Sequence, residues 1–186
     1  MTIGEVEVRV NYVMIISTNA GLWAYNIGDT VQFTTLKPYR VIVSGRIKHF
    51  ISAFGEHVIG KEVEQAMLEA TNETDIRVTE YTVAPQITPE EGLPYHEWFV
   101  EFENEPNDFE ELERKLDESL QIQNSYYFDL IKGKVLQPLK ITKVKKDGFQ
   151  DYMKSIGKLG GQNKIPRLSN DRNIVAVFTQ LNLVKL

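Results

Sequence analysis

The sequence predicts an α+β protein built from two parts. Residues 1–46 are expected to form a small antiparallel β segment, and residues 47–186 a compact α+β lobe with a roughly three-stranded sheet and flanking helices. Apolar residues alternate with polar ones before residue 46, whereas helical spacing first appears after it. Strand and helix patterns then alternate along the chain, which favours the α+β class.

The first part carries strand patterns and no helical pattern. Val6, Val8 and Val10 alternate with charged residues, as in a half-buried strand, and this pattern continues into the apolar run 13–16. The remaining predictions for this part are a turn at 18–21, extended segments at 22–25, 31–33 and 41–43, and a break at 26–29.

The lobe begins with a helix, because apolar residues recur at helical spacing from Ile59 to Ala70. Segment 76–85 looks extended, but its apolar residues change phase between Val78 and Tyr81, so we expect a bulge there. A strand is predicted at 98–102, followed by a helix with Asn107 or Asp108 as N-cap and an apolar stripe from Phe109 to Leu120. The further predictions are a strand at 136–146, a helix at 149–156 and a mobile loop at 157–161. Segment 170–183 stays unassigned.

Composition and motif searches exclude several classes of protein. The 186 residues include no Cys, which rules out disulfides and thiolate metal sites, and the net charge of −5 is spread along the chain, which argues against a nucleic-acid or anionic membrane surface. Without a basic leader or a long apolar run, we expect a soluble cytoplasmic protein. The three His residues lack zinc-site spacing, and neither a nucleophile elbow nor a phosphate-binding glycine loop is present.

Asp29 and Arg46 are candidate ligand-binding residues in the β segment. Asp29 follows a glycine turn, where its two oxygens suit both hydroxyls of a ribose, although an Asp that bonds its own turn is the alternative. Arg46 and Lys48 lie where strand composition gives way to helix composition. Arg46 suits a phosphate or ribose oxygen and the segment suits a hinge, but ordinary surface cations fit as well.

Lys164 is the candidate in the lobe. It follows Gly160 and Gly161, which make its loop deformable. A cation on such a loop suits the approach of an anionic carboxylate to a phosphate, because it neutralises their mutual repulsion. The alternative is a flexible connection without chemistry.

The order of these clusters along the chain identifies a family more specifically than any one cluster does. Segments 20–30 (AGLWAYNIGDT), 44–57 (SGRIKHFISAFGEH) and 160–167 (GGQNKIPR) together resemble the C-terminal part of the auxin-conjugating acyl-acid amido synthetases, which belong to the adenylate-forming superfamily. The resemblance covers essentially the whole chain. It implies a ligase that uses ATP with Mg²⁺ to convert a small carboxylic acid into an acyl-adenylate, and then transfers the acyl group to the amine of an amino acid.

The resemblance also implies roles for single residues. Asp29 would hold the ribose hydroxyls, and Arg46 would lie near the nucleotide at the end of the large adenylation domain. Lys48 would be the hinge about which the small domain swings. Lys164 would be the catalytic lysine that enters for adenylation, and His57 would lie near a position that faces the nucleotide.

The family pattern includes an N-terminal portion that has no counterpart here, with its phosphate loop, adenine-stacking motif and acyl pocket. We therefore expect a C-terminal fragment that is inactive alone and whose partner is the missing N-terminal adenylation domain. Strands within 3–46 would normally pack on that domain, so exposed apolar surface and self-association are expected. The alternative is a non-catalytic interaction module with the same fold, in which Lys164 is only a loop residue.

Overall fold

A computed structural model describes residues 2–46, 50–160 and 163–184. They form two compact units, Met1–His49 and Phe50–Leu186, called unit 1 and unit 2 below. Strands are present in both units and α-helices in unit 2, so the predicted α+β class is confirmed. None of the helices in the described ranges is long and apolar enough to cross a membrane.

Unit 1 contains one antiparallel sheet in the order β1–β2–β3. A 3₁₀ turn at Ile3–Glu5 precedes the strands β1 (Asn11–Ile16), β2 (Tyr25–Leu36) and β3 (Tyr39–Arg46). The strand predicted at 6–10 is wrong, because Val8 makes one isolated bridge and Arg9 has a φ of 68°, which interrupts an extended run. Val8 and Val10 are both exposed, so their alternation with charged residues does not mark a buried face.

The break predicted at 26–29 is also wrong, because these residues form a bulge inside β2. Val13 of β1 pairs with Thr30 and Ile15 pairs with Asn26, so a step of two residues along β1 matches a step of four along β2. Gly28 takes a φ of 84°, and its N–H donates to Asn26 Oδ1 at 2.9 Å. The turn chemistry seen in the sequence is present, but it bends one strand instead of separating two.

Unit 1 leaves many of its apolar side chains exposed. Val31 and Phe33 are buried, whereas Trp23 is 87%, Val43 66% and Ile15 61% exposed. This matches the exposed apolar surface expected for residues 3–46. The self-association expected from that surface stays a prediction.

Unit 2 opens with a short pairing of β4 (Phe50–Ile51) and β5 (Val58–Ile59) around the loop 52–57. The elements after it are α1 (Gly60–Thr71), β6 (Arg77–Gln86), β7 (Tyr95–Asn104), α2 (Phe109–Gln123), α3 (Ser125–Lys132), β8 (Lys140–Val144), α4 (Gly148–Ser155) and α5 (Asn173–Gln180). The helices predicted at the positions of α1, α2 and α4 are confirmed, and Asp108 caps α2 by accepting from the Glu111 N–H at 3.1 Å. A register shift between Val78 and Glu80 confirms the predicted bulge.

The main sheet of unit 2 has the order β6–β7–β8, with β6 antiparallel and β8 parallel to β7. A parallel pair needs a long crossover, which α2 and α3 supply. Trp98, Val100 and Phe102 of β7 pack in one core with α1, α2 and α3, and Phe99 packs in a second core with α4 and α5. The sheet therefore has a core on each face, and most of β7 is buried.

Gly148, the first residue of α4, lies against β8 with no room for a side chain. A Cβ there would lie 2.5 Å from Cγ1 of the buried, β-branched Val144. We expect Gly148→Ala to lower the free energy of unfolding of unit 2 by about 1–3 kcal/mol, as for other overpacked sites. Urea unfolding followed by Trp98 fluorescence in a Trp23→Phe background measures this.

Gly60→Ala is the matched control for Gly148→Ala, because Gly60 is the first residue of α1 and a Cβ there meets no atom within 4 Å. We expect it to leave the urea midpoint unchanged or to raise it slightly, since Ala restricts the unfolded chain more than Gly does. Equal midpoints for the two variants would contradict the close approach of α4 to β8.

Candidate functional site

The β2–β3 hairpin brings Asp29 and Arg46 together. They are register partners at the end of the hairpin that lies away from its turn, and the Cα atoms of such partners lie about 4.5–5.5 Å apart. The neighbouring pair is tightly packed: a Cβ on Gly45 would lie 3.3 Å from Thr30 Oγ1, and the Ser44 hydroxyl donates to that same oxygen at 3.1 Å. The hairpin therefore places an arginine and a half-buried carboxylate on adjacent backbone positions.

Lys48 and its neighbours Ile47 and His49 lie outside the described residues. The hinge role of Lys48 therefore stays a prediction.

His57 ends the loop that joins β4 to β5. It is exposed and has a φ of 49°, in the left-handed region. Its neighbour Glu56 is fully buried: Oε2 accepts from the Phe54 N–H at 2.8 Å, and Oε1 lies 2.8 Å from Nε2 of His96 on β7. The loop that carries His57 is therefore fixed to the main sheet through Glu56.

The Glu56–His96 contact is a polar pair inside the larger core. Both side chains are fully buried, and the Tyr127 ring lies 5.1 Å from the His96 ring. Burial alone would raise the pKa of Glu56, but the hydrogen bond and charge of His96, together with backbone N–H groups, hold that pKa below its ordinary 4.5. Because an ionised carboxylate only accepts hydrogen bonds, we assign Nε2 as the donor to Glu56. Nδ1 has no hydrogen-bond partner among the residues described.

Lys164 is exposed and lies directly before a segment that is fixed to unit 2. On its N-terminal side Gly160 has a φ of 88°, and Asn163 Nδ2 donates to the Gly160 carbonyl at 3.2 Å; residues 161 and 162 lie outside the described ranges. On its C-terminal side Ile165 packs against the core of α4 and α5. Lys164 is therefore not locked inside a core, and the role predicted for it stays a prediction.

Residues 167–169 pair with the free edge of β6 through one parallel bridge. The Val83 N–H donates to the Arg167 carbonyl and the Ser169 N–H donates to the Val83 carbonyl, each at 2.9 Å. Leu168 pairs with Val83 in parallel and is 2% exposed. Lys164 therefore lies three residues before a segment that is hydrogen-bonded to β6.

The candidate residues lie in both units. Asp29 and Arg46 belong to unit 1, and His57 and Lys164 belong to unit 2. Within unit 2, the backbone N–H at position 52 donates to the side-chain oxygen at position 170 at 2.9 Å. This hydrogen bond joins the loop of His57 to the segment after Lys164. The described residues include no group of three or more His, Asp or Glu suited to hold a metal ion.

Sequence reasoning missed the Glu56–His96 pair, because its members are 40 residues apart and His96 lies in none of the motifs. One signal was available for His96. It has the same phase in β7 as the buried Trp98 and Val100, which places its side chain on the inward face of the strand.

Comparison with known proteins identifies two family models in this chain. The model of the GH3 family C-terminal domain matches residues 61–173, and that of the GH3 family central domain matches residues 1–46. The indole-3-acetic acid-amido synthetase GH3.3 of Arabidopsis thaliana is 29% identical in an alignment 181 positions long, which covers 89% of this chain and 30% of that protein.

Two solved structures of the GH3.15 acyl acid amido synthetase, one in complex with 2,4-DB, match all of this chain. Their TM-scores are 0.74 and 0.72 at 20% and 17% identity, and the matches cover 36% and 35% of those chains. The chain thus spans about a third of the length of the relatives it matches. These structures show a shared fold, and the C-terminal domain model alone matches more than half of the chain. The chain therefore belongs to the GH3 family.

Proposed function

We propose that this chain forms the C-terminal part of an ATP-dependent acyl-adenylating amide ligase. A carboxylate oxygen of a small acid attacks the α-phosphorus of ATP, and pyrophosphate leaves. The amine of an amino acid then attacks the acyl carbon, AMP leaves, and the amine loses a proton. The observation that carries the proposal is the exposed Lys164 on a segment fixed to a GH3 C-terminal domain, in a chain whose relatives are named amido synthetases.

Asp29 and Arg46 are proposed to bind the nucleotide. The Asp29 carboxylate has two acceptor oxygens for the two ribose hydroxyls, and Arg46 carries a charge suited to the nucleotide phosphate. Their pairing across β2 and β3 supports a shared ligand, because register partners are close enough for one nucleotide to reach both.

Lys164 is proposed to act in the first half-reaction. A carboxylate that approaches a polyphosphate is an encounter of like charges, and a cation between them lowers the energy of the transition state. Lys48 is proposed as the hinge that lets Lys164 leave before the amine enters, and His57 as a residue that faces the nucleotide. The family implies Mg²⁺ with ATP, and the described residues include no group of three or more His, Asp or Glu suited to hold it.

Acid-dependent exchange of labelled pyrophosphate into ATP tests the proposal. Indole-3-acetic acid and 2,4-DB are suitable first acids, because they occur in the names of the relatives. We expect no exchange by the 186 residues alone, since two thirds of the relatives' length has no counterpart in them. Exchange is expected when the N-terminal remainder of a relative is added as a separate polypeptide or joined to residue 1.

Two outcomes would contradict this proposal in different ways. Exchange by the 186 residues alone would show that they hold a complete adenylation site. A stable complex with the added N-terminal portion that exchanges no pyrophosphate would instead favour the non-catalytic interaction module. The exposed apolar side chains of unit 1 suit either kind of complex.

A further inference from the structure

We propose that Arg167 is a positioning residue for Lys164, because it clamps the segment that follows Lys164 to the edge of β6. This inference rests on the proposed function, since it concerns the same site. It adds a residue whose role lies in holding another side chain and not in contact with the substrate.

The Arg167 side chain is held by three kinds of contact. Its Nη1 donates to the Glu80 carboxylate and to the Tyr81 carbonyl, the latter at 3.1 Å, and its guanidinium carbon lies 4.3 Å from the centroid of the Tyr81 ring. The Tyr81 ring in turn stacks on the fully buried Trp98 at 5.9 Å. Nε also lies 3.8 Å from Glu64 Oε1 on α1, so Arg167 is bound to both a strand and a helix.

Backbone contacts also restrict the segment between Lys164 and Arg167. Thr82 Oγ1 donates to the Pro166 carbonyl at 2.7 Å, directly before Arg167. A residue before proline is restricted to extended conformations, and Ile165 is also packed against the second core. The chain from Lys164 to Arg167 therefore has little freedom, and a fixed Arg167 fixes the origin of the Lys164 side chain.

Arg167 and Lys164 differ in whether their positive charge is paired within the protein. Glu80 and Glu64 neutralise Arg167, and that guanidinium is committed to contacts within the protein. Lys164 is exposed and takes part in no ion pair within the described part of the chain. Lys164 is thus the residue of the segment that has its charge available for an anionic substrate.

Amide hydrogen exchange of the 186-residue chain tests the clamp itself. In Arg167→Met, the protection of the Val83 and Ser169 N–H groups against exchange is expected to fall by about tenfold or more, because the hydrogen bonds between β6 and residues 167–169 open locally. Phe99 and Val100 in the central strand are expected to keep theirs. Arg114→Met is the matched control, since Arg114 is also held by two carboxylates but lies on α2. Unchanged protection in Arg167→Met would overturn the proposal.

The two half-reactions test whether the clamp serves Lys164. With the N-terminal portion added, Arg167→Met is expected to lower the kcat of acid-dependent exchange by about tenfold or more with KM little changed, since misplacing a catalytic group has effects of this size. Transfer from a preformed acyl-adenylate to the amine is expected to be unaffected, and Arg167→Lys is expected to recover part of the exchange rate. A merely structural role would lower both half-reactions equally, and that result would overturn the proposal.

Failure of the proposed function would look different. In that case the wild-type assembly itself would show neither exchange nor transfer, and the role of Arg167 in catalysis would fall with it. The hydrogen-exchange result would still decide whether Arg167 holds the segment.

Discussion

Lys164→Ala is expected to lower the acid-dependent pyrophosphate exchange of the reconstituted ligase by about 100-fold or more, the usual effect of removing one group that stabilises developing charge. Lys164 is exposed and comes before residues that are fixed to β6, so its ammonium group can reach a ligand from a defined origin. The substitution leaves no buried group without a partner, and we expect no change in the fold.

Two further variants separate charge from position in this prediction. Lys164→Arg keeps the charge and is expected to retain part of the exchange rate. Lys158→Ala removes another exposed lysine near the same connection and is expected to leave the rate unchanged. Transfer from a preformed acyl-adenylate is expected to be similar in wild type and Lys164→Ala. An exchange rate in Lys164→Ala within twofold of wild type would show that Lys164 is only a loop residue.

The fold was largely predictable because its helices and strands are periodic over long stretches. The stripe from Phe109 to Leu120 and the alternation from Trp98 to Phe102 both mark faces that the structure buries. The pattern failed at Val6, Val8 and Val10, where residues alternate without any buried face. It also failed to predict α3, in which Tyr127 is the one described residue that is buried.

The site residues were predictable only where each lies in a short contiguous motif. The family resemblance assigned roles to Asp29, Arg46 and Lys164, and those roles are proposals. Lys48 lies outside the described residues. The contacts that hold this region together join residues far apart in sequence. Arg167 meets Glu80 across 87 positions, and no local pattern reports such a pair.

Glu56→Ala is expected to lower the free energy of unfolding of unit 2 by about 3–5 kcal/mol, because it removes a buried carboxylate that serves two donors, and each donor left unpaired costs about 1–3 kcal/mol. The substitution leaves the His96 Nε2 donor and the Phe54 N–H without their acceptor in the core, and it opens a cavity. Glu56→Gln keeps the shape and one acceptor oxygen, so we expect a smaller loss of about 1–3 kcal/mol. Urea unfolding followed by Trp98 fluorescence in the Trp23→Phe background measures both.

Glu118→Ala is the control for the loss of a glutamate, because Glu118 is exposed and pairs with Arg114 on the surface of α2. We expect it to change the urea midpoint little. A midpoint for Glu56→Ala close to that of Glu118→Ala would contradict the buried Glu56–His96 contact. It would also remove the reason to regard the loop of His57 as fixed to β7.

The same pair predicts the sign of a pH dependence. Because the folded state holds the pKa of Glu56 below its ordinary 4.5, the folded chain favours the charged carboxylate more than the unfolded chain does. The resulting stabilisation is complete above the ordinary pKa and is lost as the pH falls through the lower folded value. The other carboxylates titrate in both proteins, and below about pH 5 the contribution of Glu56 is separated from the ordinary range of histidine titration. The difference in unfolding free energy between wild type and Glu56→Gln is therefore expected to shrink as the pH falls from about 5 to about 3. A difference that stays constant or grows over this range would mean that Glu56 is neutral in the folded core.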